Sequence, residues 1–189
     1  MLHKKLMIVV LCLYISSAQG LCQILFTPRD DIRSQLIQLI KQERKSIDAA
    51  VYMFTDKTIA QALIDAYVRG VKVRVILDQI SMGERYGKGV FLQNNGVAVV
   101  VHATSGGNAF TMPIMHHKFF LFGQNGITGT ELLWTGSYNC TASASTIHDE
   151  NVIITDDVQA IQEYRHCFAL LLARLSPGRC FIDEAETLL

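Results

Sequence analysis

Val71-Lys72-Val73-Arg74-Val75-Ile76-Leu77-Asp78 opens as an alternation of apolar and charged side chains and closes as an unbroken apolar run. A strand reads this way when one of its faces is buried at first and both are buried later. Gly70, immediately before it, ends a helix cleanly, because a glycine takes the left-handed backbone of a helix C-terminus without a Cβ penalty. That helix begins at a cap, Thr55-Asp56, and carries Ile59, Leu63, Ala66 and Tyr67 on one face. Before the cap, Ser46 to Phe54 is a short, mostly apolar run that fits a buried strand. A strand, helix and strand in this order and of this length predict a right-handed parallel crossover.

Working outward, Thr27-Pro28-Arg29-Asp30 offers a capping hydroxyl, a proline suited to the first helical position and an acid three residues after the cap, which predicts a helix over 29–44. Downstream, a helix is expected over 84–95, broken by Gly96, and a strand over 97–101. Residues 103–113, rich in Gly, Ser, Thr and Asn, read as a loop. Strands fit 117–122, 131–135 and 150–154, and a last helix fits 157–174. The expected class is α/β, a mixed sheet flanked by helices in one domain, without an internal repeat.

The chain has 189 residues, half of them hydrophobic, which is enough for one ordinary core without metal or disulfide staples. Residues 1–20 stand apart. A basic start, an apolar stretch from Leu6 to Ile15 and the small residues Ser16-Ser17-Ala18 read as an export signal, leaving 21–189 as the mature domain. The apolar stretch is about ten to thirteen residues, against the roughly twenty that a membrane-spanning helix needs; an uncleaved anchor is the alternative. The expected location is therefore periplasmic or secreted.

Losing residues 1–20 removes Lys4 and Lys5 and no acid, leaving 15 basic against 17 acidic side chains, a net charge of about −2. A protein holding long nucleic acid chiefly by neutralising phosphates would be basic, so nucleic-acid binding here requires a local patch. Cys12 leaves as well, and Cys22, Cys140, Cys167 and Cys180 remain. Disulfides are permitted in an exported chain. Cys167 and Cys180 flank the Ser176-Pro177-Gly178 turn and are the expected pair; two buried free thiols are the alternative. No CxxC occurs, so a structural zinc site is not expected.

The chemistry concentrates in Met115-His116-His117-Lys118-Phe119-Phe120-Leu121-Phe122-Gly123 and in Thr135-Gly136-Ser137-Tyr138-Asn139. Adjacent histidines on a strand point to opposite faces, whereas His116 and Lys118, two apart, point to the same one. Gly136 frees the backbone for a tight turn, from which Ser137 and Asn139 add a hydroxyl and an amide if the turn lies at the same strand end. Imidazole, ammonium, hydroxyl and amide form a poor metal site and a good phosphate site, with three donors for anionic oxygens and one nucleophile or acid. His117 packs on the opposite face, Phe119 to Phe122 is core, and His102, His148 and His166 are expected to be structural. Arg69, Lys72 and Arg74 read as a solvated face. No GxSxG occurs, which excludes a serine hydrolase elbow.

His116-x-Lys118, four apolar residues and then Gly136-Ser137-x-Asn139 resemble the HxKxxxxD…GSxN signature of the phospholipase D superfamily. Ala50 to Thr55, Ala62 to Ala66, Arg69 to Asp78 and Asp149-Glu150-Asn151-Val152 resemble its framework, so the likeness covers about residues 24–172. It is strongest toward the small bacterial endonucleases with a single HKD-type motif and, in Met-His-His-Lys, toward the mitochondrial cardiolipin hydrolase branch. Two departures stand out. Gly123 occupies the motif's Asp position, and Gln124 to Glu131 lengthens the link to Gly136 like an enlarged hairpin turn. Glu131 is a candidate for the missing acid.

The resemblance implies hydrolysis of phosphodiesters through a phosphohistidine on His116, with a second copy of His116 protonating the leaving group and water then reversing the roles. It assigns Lys118, Ser137 and Asn139 to the phosphoryl oxygens and Glu150 to orienting the histidine. It implies no cofactor and no metal. One HxK per chain implies a homodimer, with its interface along the sheet edge bearing 116–118 and 136–139. Two substrates stay open: nucleic acid, favoured by the compact nucleases, and a phospholipid headgroup ester, favoured by the neutral charge and the loop from Ser105 to Ile114. A catalytically silent binding module, made conceivable by Gly123, is the third class. Asn139-Cys140-Thr141 is also a glycosylation sequon, and a glycan there would sit on a phosphate ligand, which favours bacterial export.

Overall fold

The computed structural model of the chain describes residues 20–83, 86–103 and 113–176. Most of the expected export segment and Cys180, half of the expected disulfide, lie outside them, as does most of the loop read over 103–113. Seven strands form one sheet: β1 (Cys22–Phe26), β2 (Ser46–Val51), β3 (Lys72–Asp78), β4 (Ala98–His102), β5 (Lys118–Phe122), β6 (Leu132–Gly136) and β7 (Asn151–Thr155). Five helices accompany them: α1 (Ile32–Gln42), α2 (Lys57–Val68), α3 (Gly89–Asn94), α4 (Ala142–Thr146) and α5 (Val158–Leu175).

The sheet order is β1-β7-β6-β5-β2-β3-β4, with β2, β3 and β4 parallel and every other pair antiparallel. The mixed sheet is thus as expected, and β2-α2-β3 is its parallel crossover. Alternation along β5 divides the core. Phe120 and Phe122 join the apolar stripes of α1 and α2, including Leu36, Ile40, Ile59 and Leu63. Phe119 and Leu121 join Ile161, Phe168 and Leu172 of α5 on the other face. Truncating a fully buried phenylalanine here would cost about 3–5 kcal/mol.

Aspartates start the long helices: Asp31 accepts from the Ser34 amide, Asp56 from Thr58 and Ile59, and Asp157 from Ala160. The capping role expected of Thr27 therefore belongs to Asp31, because the Thr27 hydroxyl is taken by contacts far along the chain. Arg74 is also not solvated. It pairs twice with Asp48, at 2.7 Å each, its guanidinium over the Phe168 ring under α5. The helix expected over 84–95 is short, starting at Gly89, and a 3-10 turn, Gln79–Met82, directly follows β3. Strand β1, at the sheet's outer edge, and α4 were not anticipated, since neither carries a long periodic pattern.

Candidate active site

Lys118 opens β5 opposite Val51, and the ladder runs one step further, with the Tyr52 amide donating to the His117 carbonyl at 2.9 Å. The Tyr52 ring collects the two groups expected to meet. The His116 ring lies 4.6 Å from it between centroids, and Lys118 Nζ stands 5.1 Å from the same centroid. Nζ also donates to the His116 carbonyl at 2.7 Å, so the ammonium is tethered beside the imidazole. His117 faces the other way, edge-on to Phe119 and 4.0 Å from Cys167 Sγ on α5.

Ser137 and Asn139 reach the same end from β6. Tyr138 between them is fully buried, packs edge-on to Trp134 and bonds Ser145 at 2.6 Å, so the neighbours on either side turn away from the core. Burial drives the Tyr138 phenol far above its ordinary titration range. Gly136 serves a close approach rather than a turn, because a Cβ there would run into the Asn151 carbonyl oxygen. That approach lets the Ser137 amide donate to the same carbonyl at 3.0 Å. Asn139 Oδ1 accepts the Met53 amide at 3.2 Å, which fixes the side chain and leaves its NH2 group to donate. The Thr55 and Asp56 amides both donate to the Cys140 carbonyl at 2.9 Å, locking this segment to the residues that follow β2.

Glu150 lies just before β7, and its carboxylate accepts the Ser137 hydroxyl. Among the described residues it makes no hydrogen bond to His116, so within one chain the orienting acid acts on Ser137 instead. Thr27 holds Glu150 in place: its hydroxyl accepts the Glu150 amide at 2.8 Å and donates to the His148 carbonyl at 2.7 Å. Burial lowers the Lys118 pKa against the opposing pull of Glu150. Burial and the Lys118 charge lower the His116 pKa, with Asp78 pulling the other way. A neutral imidazole beside a retained ammonium is the state suited to attack on an anionic phosphodiester.

The expected interface line needs a geometric correction, for β5 and β6 are interior strands and the site occupies their ends rather than a hydrogen-bonding edge. The candidate for the missing acid, Glu131, does not serve the site. Gly123 follows the far end of β5, about 16 Å from Lys118 at ~3.3 Å per residue, so no side chain there touches the site. Glu131 pairs with Arg165 at 2.9 Å on the surface. The acid serving that end is Glu43, buried, whose Oε1 accepts the amides of Lys45, Ser46 and Gln124 at 2.8, 3.1 and 2.8 Å. Gln124 to Glu131 does form a hairpin loop, closed by the Asn125 amide on the Thr130 carbonyl and pinned by Asn125 Nδ2 on the Leu39 carbonyl. His102, expected to be structural, is buried, but its Nδ1 lacks a hydrogen-bond partner. Tyr52 and Thr27 escaped the sequence reading as site residues, one read as framework and the other as a cap.

The family described as cardiolipin synthase, PLD-like domain, matches residues 36–172. The mitochondrial cardiolipin hydrolase of Xenopus tropicalis is 33% identical over 158 residues, covering 83% of this chain and 69% of that protein. The phospholipase D of Rickettsia prowazekii (strain Madrid E) is 31% identical over 139 residues, covering 74% of this chain and 62% of that protein. Among solved structures, NucT from Helicobacter pylori superposes with a TM-score of 0.69 at 21% identity, over 82% of this chain and 96% of that one. The phospholipase D family member Nuc from Salmonella typhimurium gives 0.66 at 22%, over 80% and 93%.

Proposed function

The chain belongs to the phospholipase D superfamily and carries its phosphodiesterase framework, and from that premise we propose that it hydrolyses phosphodiesters of nucleic acid through a covalent intermediate on His116. The observation carrying this proposal is the convergence on Tyr52 of His116 and Lys118, beside the strand end presenting Ser137 and Asn139. One imidazole nitrogen attacks phosphorus and the bond to the leaving oxygen breaks. That oxygen takes a proton from a second, protonated His116. Water then gives a proton to this second imidazole and attacks phosphorus, releasing the first. Lys118, Ser137 and the Asn139 amide hold the non-bridging oxygens as charge grows on them. Two imidazoles are required and each chain has one HxK, so the active species is a homodimer joined across the strand ends of 116–118 and 136–139. Residues 1–20 act as an export signal and 21–189 as the working domain.

Nucleic acid is preferred as substrate because the sequence resembles the compact bacterial endonucleases and the fold covers 93% and 96% of the compact Nuc and NucT chains. A phospholipid headgroup ester is the second reading. It is supported by the names of the relatives at 31–33% identity and by exposed Ile80, Ile114 and Ile147, which flank the site-bearing segments. Purified protein is to be incubated with single-stranded DNA, RNA, a choline phospholipid and a chromogenic phosphodiester, all with chelator present. Cleavage of DNA or RNA supports the proposal and cleavage of the lipid alone supports the second reading. Inactivity toward all four, or a loss reversed only by metal, removes the phosphohistidine route.

A further inference from the structure

His116 makes no hydrogen bond of its own through its ring among the described contacts, so its place depends on the backbone before it and on Tyr52 beside it. Both are held from the turn that follows β3. Asp78, the last residue of β3 and 3% exposed, accepts the Met115 amide on Oδ2 at 3.0 Å and the Ile80 amide on Oδ1 at 3.1 Å. Three residues on, buried Ser81 donates to the Tyr52 carbonyl and accepts the Phe54 amide, both at 2.9 Å. One short turn therefore grips the residue preceding His116 and the backbone of the residue whose tilted ring packs against it.

We propose that Asp78 is the positioning residue of His116, fixing the imidazole through the Met115 amide and placing a buried negative charge behind it. Glu150, the acid that the sequence pattern suggested for this task, is engaged by Ser137 within the chain. The charged and titratable groups around His116 are Lys118 and His117 on its own segment, Tyr52 just after β2, Asp78 from β3 and, beyond Lys118, Glu150 from the start of β7. Facing Asp78 is His102 on β4, paired with it in register and 3.7 Å away from Nδ1 to Oδ2. The Coulomb attraction of Asp78 favours protonated His116, so removing that charge moves the His116 titration to lower pH.

The proposal rests on His116 being catalytic, but its first test needs no substrate. In Asp78→Asn the carbonyl still accepts the Met115 amide while the charge is lost, and the His116 imidazole, assigned by comparison with His116→Gln, is titrated by NMR. We expect it to titrate lower by on the order of half a pH unit. Against whichever phosphodiester is cleaved, kcat falls about tenfold with little change in KM, and the pH profile moves the same way. An unchanged His116 titration overturns the proposal, whether or not any substrate is hydrolysed. Asp78→Glu keeps the charge and displaces the anchor, so it leaves the titration near that of the parent while lowering kcat and shifting the Met115 amide signal. Full kcat in Asp78→Glu overturns the proposal even if Asp78→Asn fails to fold. A shifted titration in a protein that cleaves nothing keeps the positioning and removes the catalytic reading.

Discussion

The two ends of β5 use buried carboxylates for opposite purposes. At the N-terminal end, buried Asp78 and half-buried Glu150 lie among groups that remain open to a ligand, with His116 exposed and Lys118 tethered but, among the described residues, unpaired with any acid. At the C-terminal end, Glu43 is spent on three backbone amides and faces no solvent. The family pattern writes both ends as one motif, HxKxxxxD, although about 16 Å of strand separates them at ~3.3 Å per residue. The difference teaches that a motif read as a unit can contain a chemical half and a scaffolding half. This chain lacks the letter of the second half, and at that end Glu43 satisfies three backbone amides instead. Gly123 thus gives no ground for an inactive protein.

Mutations at the two ends should separate accordingly. His116→Ala is expected to lower kcat at least about 10³-fold with the melting temperature nearly unchanged, because no neighbouring side chain can take the place of the nucleophile. His117→Ala, on the α5 face, keeps most activity, and the reverse pattern in steady-state assays would mean the faces are misassigned. Glu43→Ala should do the opposite, costing about 2–4 kcal/mol in denaturant unfolding by orphaning buried amides, while kcat per folded molecule stays the same. A specific loss of kcat in that variant, with stability intact, would merge the two ends into one functional unit.

How much of this was legible depended on whether the signal was local. Period-2 alternation identified β3, and the two-residue period of a strand placed His116 and Lys118 together with His117 apart, because strand geometry alone decides it. The roles of Glu43, Asp78 and Thr27 rest on bonds reaching Gln124, Met115 and Glu150, between 37 and 123 residues away, and no sequence window contains them. Thr27 shows the mechanism of error. Its hydroxyl suits a helix cap, but Asp31 caps as well, and the Thr27 hydroxyl instead accepts the Glu150 amide. Arg74 misled for a related reason, since alternation predicts which face it is on, not that α5 covers that face.

Restoring the motif is a finer probe. Gly123→Asp introduces a Cβ that would collide with Ser46 Oγ, and that oxygen can rotate away, so the expected cost is about 1 kcal/mol with no gain in kcat. An increase in kcat would show that the far end does reach the chemistry. Smaller still is the pH effect. Burial and Lys118 lower the His116 pKa, so the neutral nucleophile persists in more acid solution, and the acid limb of the kcat/KM profile should fall below the ordinary imidazole value of about 6.5. A limb above that value would indicate that a negative charge, not Lys118, dominates at the imidazole.

The decisive measurement is the covalent intermediate. Protein mixed with a cleavable phosphodiester, quenched in alkali within the first turnovers and digested, should yield by mass spectrometry a phosphoryl or phosphodiester-derived adduct on the peptide bearing His116, absent in His116→Ala. An adduct on His117 or Ser137, or turnover with no adduct at all, would contradict His116 as the nucleophile.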